Sequence, residues 1–171
     1  VQSQLKQEID LCMGRDIEVP KPYNVLEIGT KFGGTFYIWN KLVQEHGAGM
    51  CISIDMDDLG IHGGVGTEAM DKRDLWFQER FSNCHFIRGD SHEVESVCKV
   101  ETIIEPAFGI MMLNSNYSTS DLVEKVQQFD FLFIDGDHSY EGVKRDFEMY
   151  SPFVKKGGMT GTFMSVNFGE I

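Results

Sequence analysis

Basic residues are scarce in this chain. Fifteen Lys and Arg stand against 27 Asp and Glu among 171 residues, a formal net charge of -12. Binding to duplex DNA or RNA rests on clustered cations that neutralise phosphates, so this balance argues against a nucleic-acid partner. Long apolar runs are missing too: none approaches the ~20 residues that a membrane span requires. The opening residues, Val1 to Lys6, contain neither an initiator Met nor the apolar core of a signal peptide, so the chain reads as processed or as a piece of something longer. The four cysteines, Cys12, Cys51, Cys84 and Cys98, form no CxxC pair, which argues against a zinc knuckle or a thioredoxin-type motif. Cys51 and Cys84 fall in strand-like runs and read as small core hydrophobes. A reduced, cytoplasmic setting is the expectation. No internal repeat, low-complexity tract or linker divides the sequence.

What is present is material for a core. With 42% hydrophobic and 12% aromatic residues, the chain is expected to fold as one domain over residues 1–171, without a metal or disulfide staple. Five short apolar runs read as strands: Asn24–Ile28, Met50–Ile54, Cys84–Ile87, Asp130–Ile134 and Met159–Phe163. Several are nearly continuous in apolar residues, as strands covered on both faces should be. Between them, Phe36, Trp39 and Val43 form one stripe of an amphipathic helix. Leu122, Val126 and Phe129 repeat the pattern, as do Val143, Phe147 and Tyr150. Leu5, Ile9 and Met13 suggest an opening helix. Gly157-Gly158 is expected to stop the Val143 helix and turn the chain into the last strand. Strand and helix alternating in this way predict an α/β domain, a doubly wound, mostly parallel sheet with helices on both faces. Gly60 to Gly66 reads as a glycine-dense loop, and Phe108 to Ser120 as a lid, a small strand or a contact surface.

The most informative stretch is Val25-Leu26-Glu27-Ile28-Gly29-Thr30-Lys31-Phe32-Gly33-Gly34-Thr35. A buried strand runs into a glycine turn and then a helix, which aims backbone N–H groups at whatever lies above the strand. Spacing separates three nucleotide-binding patterns. A dinucleotide GxGxxG fails because Lys31 stands where the second glycine belongs, which removes a nicotinamide-dependent oxidoreductase. A P-loop fails because Thr35 stands where its lysine must be. What remains is Glu-x-Gly-x-x-x-Gly-Gly. A carboxylate, Asp55, closes the second strand 26 positions after Gly29, where it can accept both hydroxyls of a ribose. Phe86-Ile87-Arg88-Gly89-Asp90-Ser91 closes the third, and Phe133-Ile134-Asp135-Gly136-Asp137-His138 the fourth.

In this order, the motifs resemble those of class I S-adenosylmethionine-dependent methyltransferases. The Asp-Gly-Asp-His run, with Phe153-Val154-Lys155-Lys156-Gly157-Gly158 downstream, resembles the small-molecule O-methyltransferase and cephalosporin-hydroxylase-like subfamily. The likeness covers roughly residues 23–163. It implies a Rossmann-like fold and S-adenosylmethionine as methyl donor. Glu27, Gly29, Thr30, Gly33 and Gly34 would shape the methionine and ribose end, Asp55 would hold the ribose, and Asp90 with Ser91 the adenine. Asp135 to Tyr140 would line the pocket where donor meets acceptor. His138 would be the base, with Asp135 or Asp137 orienting it; the other reading of His138 is a residue that merely caps the turn. His46, His62, His85 and His92 read as surface or turn residues. The implied partner is a small-molecule acceptor, a sugar or natural-product hydroxyl.

The sequence departs from these relatives in two places. Metal-dependent members pair the acid matching Asp135 with two acids at the end of strand five, and Phe163 and Met164, which stand there, cannot ligate a hard cation. Asp135 and Asp137 alone make a poor site, so no divalent metal is expected. After Phe163 too little sequence remains for strands six and seven of the class, which are expected to be missing or truncated. Strand five would then be an exposed edge open to a homodimer contact. These departures motivate a second reading, a non-catalytic nucleoside-binding or interaction module on a methyltransferase fold.

Overall fold

The computed structural model describes residues 23–46, 49–57, 65–104 and 128–163. Five strands, β1 (Val25–Ile28), β2 (Cys51–Asp55), β3 (Cys84–Arg88), β4 (Phe129–Ile134) and β5 (Val154–Thr162), form one sheet in the order β3-β2-β1-β4-β5. Every pairing is parallel. The connecting helices are α1 (Gly34–His46), α2 (Thr67–Gln78), α3 (Val94–Ile104) and α4 (Tyr140–Tyr150). This is the doubly wound, Rossmann-like sheet the sequence predicts. Among the described residues no helix is long and apolar enough to cross a membrane.

Strand alternation divides the core into two layers of different chemistry. Leu26, Ile28, Ile52, Ile54, Ile87, Leu132 and Ile134 pack on one face with Val100 of α3 and Tyr150 of α4. Val25 and Cys51 point to the other face, where Phe36, Trp39, Phe77 and Phe81 come from α1, α2 and the turn after α2. Trp39 meets Phe131 at 4.9 Å between ring centres, and Phe36 meets Phe86 at 5.2 Å. Burying each such side chain contributes about 1.5–3 kcal/mol. Cys51 and Cys84, register partners on β2 and β3, are buried as expected, while Cys98 on α3 is exposed. Burial raises both core thiols, that of Cys84 to about 12.

Three local expectations are corrected. The Val143 helix ends at Tyr150, where Pro152 enters a short 3-10 turn over Ser151–Phe153, and Gly157-Gly158 instead lies inside β5. There Val154 pairs with Phe129 and Met159 with Phe131, so Gly157, at φ +88°, accommodates an irregularity in the strand. Phe129 opens β4 rather than closing a helical stripe; Leu122 and Val126 fall outside the described residues. Phe147 faces solvent, because α4 buries Gly142, Asp146 and Tyr150. The opening helix, the segment Phe108 to Ser120 and most of the loop before Gly66 also fall outside the described residues.

Candidate functional site

Winding direction changes between β1 and β4, and the carboxyl ends of the strands there form the crevice where such sheets bind ligands. Backbone geometry draws the strand ends together: the Gly29 N–H donates to the Ile54 carbonyl, Asp135 to Ile28 and Gly89 to Asp55, at 2.8–3.1 Å. Gly29 has φ +86°, and a Cβ there would lie 2.1 Å from the Asp135 carbonyl oxygen. Gly33, at φ +82°, leaves room for the Phe77 ring, which a Cβ would meet at 2.7 Å. Gly34 has open space around it and no such requirement. Between them Lys31 adopts a left-handed φ of +49°.

Two residues of this motif, one in the loop and one in β1, turn inward. The buried Thr30 hydroxyl hydrogen-bonds the Ser53 hydroxyl, tying the loop to β2. Glu27, expected at the methionine and ribose end, is instead sealed inside the aromatic layer, because strand alternation places it on the same side as Val25. Its side chain is 0% exposed, and no hydrogen bond meets either carboxyl oxygen or the Trp39 indole N–H. Burial lifts its pKa well above the ordinary 4.5 of a glutamate, and the charges of Asp135 and Asp55 add to this. In the unfolded chain Glu27 ionises near 4.5, so above that pH the native state retains a proton that the unfolded state has lost. Stability therefore falls as pH rises from there to the folded value. Glu27→Gln removes this fall and is expected to be the more stable protein near neutral pH by on the order of 1–3 kcal/mol. Urea midpoints measured at about pH 4 and pH 7 check it; a gap between the two proteins that stays constant would contradict it.

Asp55 closes β2 as expected, but it is not alone. Its Oδ2 accepts from Nη1 of Arg73, a buried α2 residue that sequence reading missed. The turn after β3 is closed by local hydrogen bonds: Asp90 Oδ1 accepts from the His92 N–H at 2.8 Å, and the Asp90 carbonyl accepts from Ser96 at 2.7 Å. Tyr150 of α4 donates to the Ser91 carbonyl at 2.7 Å. His92, read as an ordinary turn residue, places Nε2 3.3 Å from the fully buried Asp146 carboxylate, whose pKa burial raises. His85 lies half-buried in β3; His62 and the His46 side chain fall outside the described residues.

After β4 the structure brings Asp135 and His138 together, with Asp135 Oδ1 2.9 Å from His138 Nε2. Partial burial raises the Asp135 pKa, against the pull of His138 and Lys31. Asp137 instead caps the following turn, accepting from the Ser139 N–H at 2.8 Å and its hydroxyl at 2.9 Å; the backbone bond is the main cause of its lowered pKa. Gly142 permits this, since a Cβ there would meet Asp137 Oδ2 at 2.3 Å. The Phe163 ring stands 5.6 Å from the His138 ring. Among the described residues no three His, Cys, Asp or Glu side chains are grouped to hold a metal ion.

A parallel sheet in this order, with a glycine turn leaving β1 and acids closing β2 and β4 at one edge, is the frame of a class I methyltransferase domain. The chain belongs to the methyltransferase-domain family, whose model, described as "Methyltransferase domain", matches residues 26–161. Among solved structures it is similar to fibrillarin from Aeropyrum pernix in complex with natively bound S-adenosyl-L-methionine, at 15% identity and a TM-score of 0.52, over 91% of this chain and 51% of that one. It is also similar to the cyclase SpnF, at 12% identity and a TM-score of 0.50, over 93% of this chain and 44% of that one. At these identities the likeness is one of fold, and the chain spans about half the length of either structure. No curated protein matches it in sequence.

Proposed function

We propose that this domain transfers a methyl group from S-adenosylmethionine to a hydroxyl oxygen of a small molecule, a sugar or natural-product alcohol. The observation that carries the reading is the Asp135–His138 pair at 2.9 Å, set directly beside the backbone contact of Gly29 with Asp135. The donor supplies an electrophilic methyl on a sulfonium sulfur. Gly29 and Gly33 let the loop pack closely on Asp135 and Phe77, Asp55 offers an acceptor to the ribose hydroxyls, and the Asp90–Ser91 turn offers its groups to the adenine. His138 takes the acceptor's proton as the carbon–oxygen bond forms, and Asp135 fixes the imidazole's tautomer and direction. The acidic balance of the sequence supports a small-molecule acceptor over nucleic acid or a membrane surface. A homodimer through the β5 edge and a cytoplasmic setting complete the proposal.

The test is methylated product, detected by mass spectrometry across a panel of hydroxylated acceptors. His138→Gln is expected to lower kcat by about 10²–10⁴-fold, the usual contribution of a positioned base, with the affinity for S-adenosylhomocysteine unchanged. Equal loss of affinity and rate would reassign His138 to a structural cap. Because Asp137 is committed to Ser139 and Asp135 to His138, product is expected to persist in EDTA. Saturable nucleoside binding with no product from any acceptor would favour the interaction-module reading instead.

A further inference from the structure

The buried face of α2 carries Met70, Arg73, Asp74 and Phe77, so a charged pair sits where a helix packed on a sheet ordinarily presents hydrophobes. Arg73 has 5% of its side chain exposed. Removing a guanidinium from water is costly unless it is paired and hydrogen-bonded; here Nη1 and Nε are, while the buried Nη2 has no partner among the described residues. Nη1 donates both to Asp55 Oδ2 and to the Lys31 carbonyl, the latter at 2.6 Å, and Nε donates to Asp74 Oδ1 at 2.9 Å. The guanidinium carbon lies 5.1 Å from the centre of the Phe86 ring. Asp74 is held in turn by Arg88 at the end of β3, at 2.7 and 3.1 Å, and Arg88 reaches Asp71 at 2.6 Å. Arg73 thus joins the glycine loop to the acid closing β2 and, through Asp74, to the end of β3. The carbonyl it holds belongs to Lys31, the loop's left-handed residue.

We propose that Arg73 is a positioning residue for nucleoside recognition: it fixes the Asp55 carboxylate and the Lys31 turn as one rigid unit, and so sets the direction in which Asp55 Oδ1 faces the ribose. Among the described residues Oδ1 has no hydrogen-bond donor of its own. The direction of the grip is therefore set by the guanidinium, unlike that of an unpaired strand-end acid, whose carboxylate rotates freely. This inference rests on the adenosyl reading above, and the experiment separates the two.

Calorimetry with S-adenosylhomocysteine and with its 2′,3′-dideoxy analogue measures the preference for the ribose hydroxyls. The wild-type chain is expected to favour the hydroxylated ligand by about tenfold or more, the range of a charge-assisted hydrogen bond. Arg73→Met is expected to remove most of that preference, on top of any common loss that a loosened Lys31 turn imposes on both ligands. In an Asp55→Asn background the same substitution is expected to have no further effect on the preference. Arg73→Lys keeps a cation beside Asp55 but cannot hold Lys31 and Asp74 at once, so it is expected to fall between. If Arg73→Met does not fold, as judged by circular dichroism, Arg73→Lys decides: a reduced preference supports the proposal and a wild-type preference overturns it. An undiminished preference in Arg73→Met, or additive losses with Asp55→Asn, also overturns it. A wild-type chain that binds neither ligand overturns the adenosyl reading itself.

Discussion

Gly29→Ala is expected to destabilise the domain by about 2–6 kcal/mol, a left-handed backbone penalty combined with a steric one. The new methyl would sit 2.1 Å from the Asp135 carbonyl oxygen, 2.4 Å from its carbon and 2.5 Å from the Gly136 nitrogen. None of these is the end of a flexible side chain. Relief requires β1 and β4 to part at their carboxyl ends, breaking the 2.8 Å bond from the Asp135 N–H to the Ile28 carbonyl. Small domains are stable by only about 5–15 kcal/mol, so the variant is expected to populate unfolded chain at modest urea concentrations. Gly34→Ala is the control: its Cβ meets nothing within 4 Å, and its stability is expected to stay within about 1 kcal/mol of the parent. Parallel urea titrations followed by circular dichroism check both, and equal midpoints for Gly29→Ala and the parent would disprove the steric account.

Asp55→Ala is expected to abolish saturable binding of S-adenosylmethionine in calorimetry. The substitution removes the proposed acceptor for the ribose and also strips Arg73 of one of its two carboxylate partners in a region almost closed to water. Breaking a buried pair by removing one member costs about 3–5 kcal/mol, so a fall in thermal stability should accompany the loss of binding. Asp55→Asn retains the shape and an acceptor oxygen and is expected to fold better while still binding weakly. Unchanged affinity in the alanine variant would refute the ribose role.

Much of this was legible in the sequence, for reasons that differ by position. The strands could be read because a sheet covered on both faces needs continuous apolar runs, and Leu26-Glu27-Ile28 breaks that rule only at one residue, itself buried. Gly29 and Gly33 stood out because their constraint is local: φ and a close neighbour admit little else. By contrast α2 was illegible, since half of its inner face is ionic and apolar periodicity therefore fails. The partners of Arg73 and Asp74 come from β2, the β1–α1 loop and β3, which no local pattern reveals. His92 looked ordinary for the same reason: Asp146 lies 54 positions along the chain and reads as one more acid on a polar helix. Gly157-Gly158 misled because a glycine pair after a helix ordinarily ends it, whereas Pro152 had already done so.

The cysteines carry a practical consequence. Cys98 is open to a water-soluble alkylating reagent, whereas Cys51 and Cys84 lie side by side in the interior with little thiolate to offer. Mass labels acquired at those two positions would therefore count openings of the β2–β3 seam. In one spectrum they report whether a ligand gripped at the tip of β2 braces that seam from above.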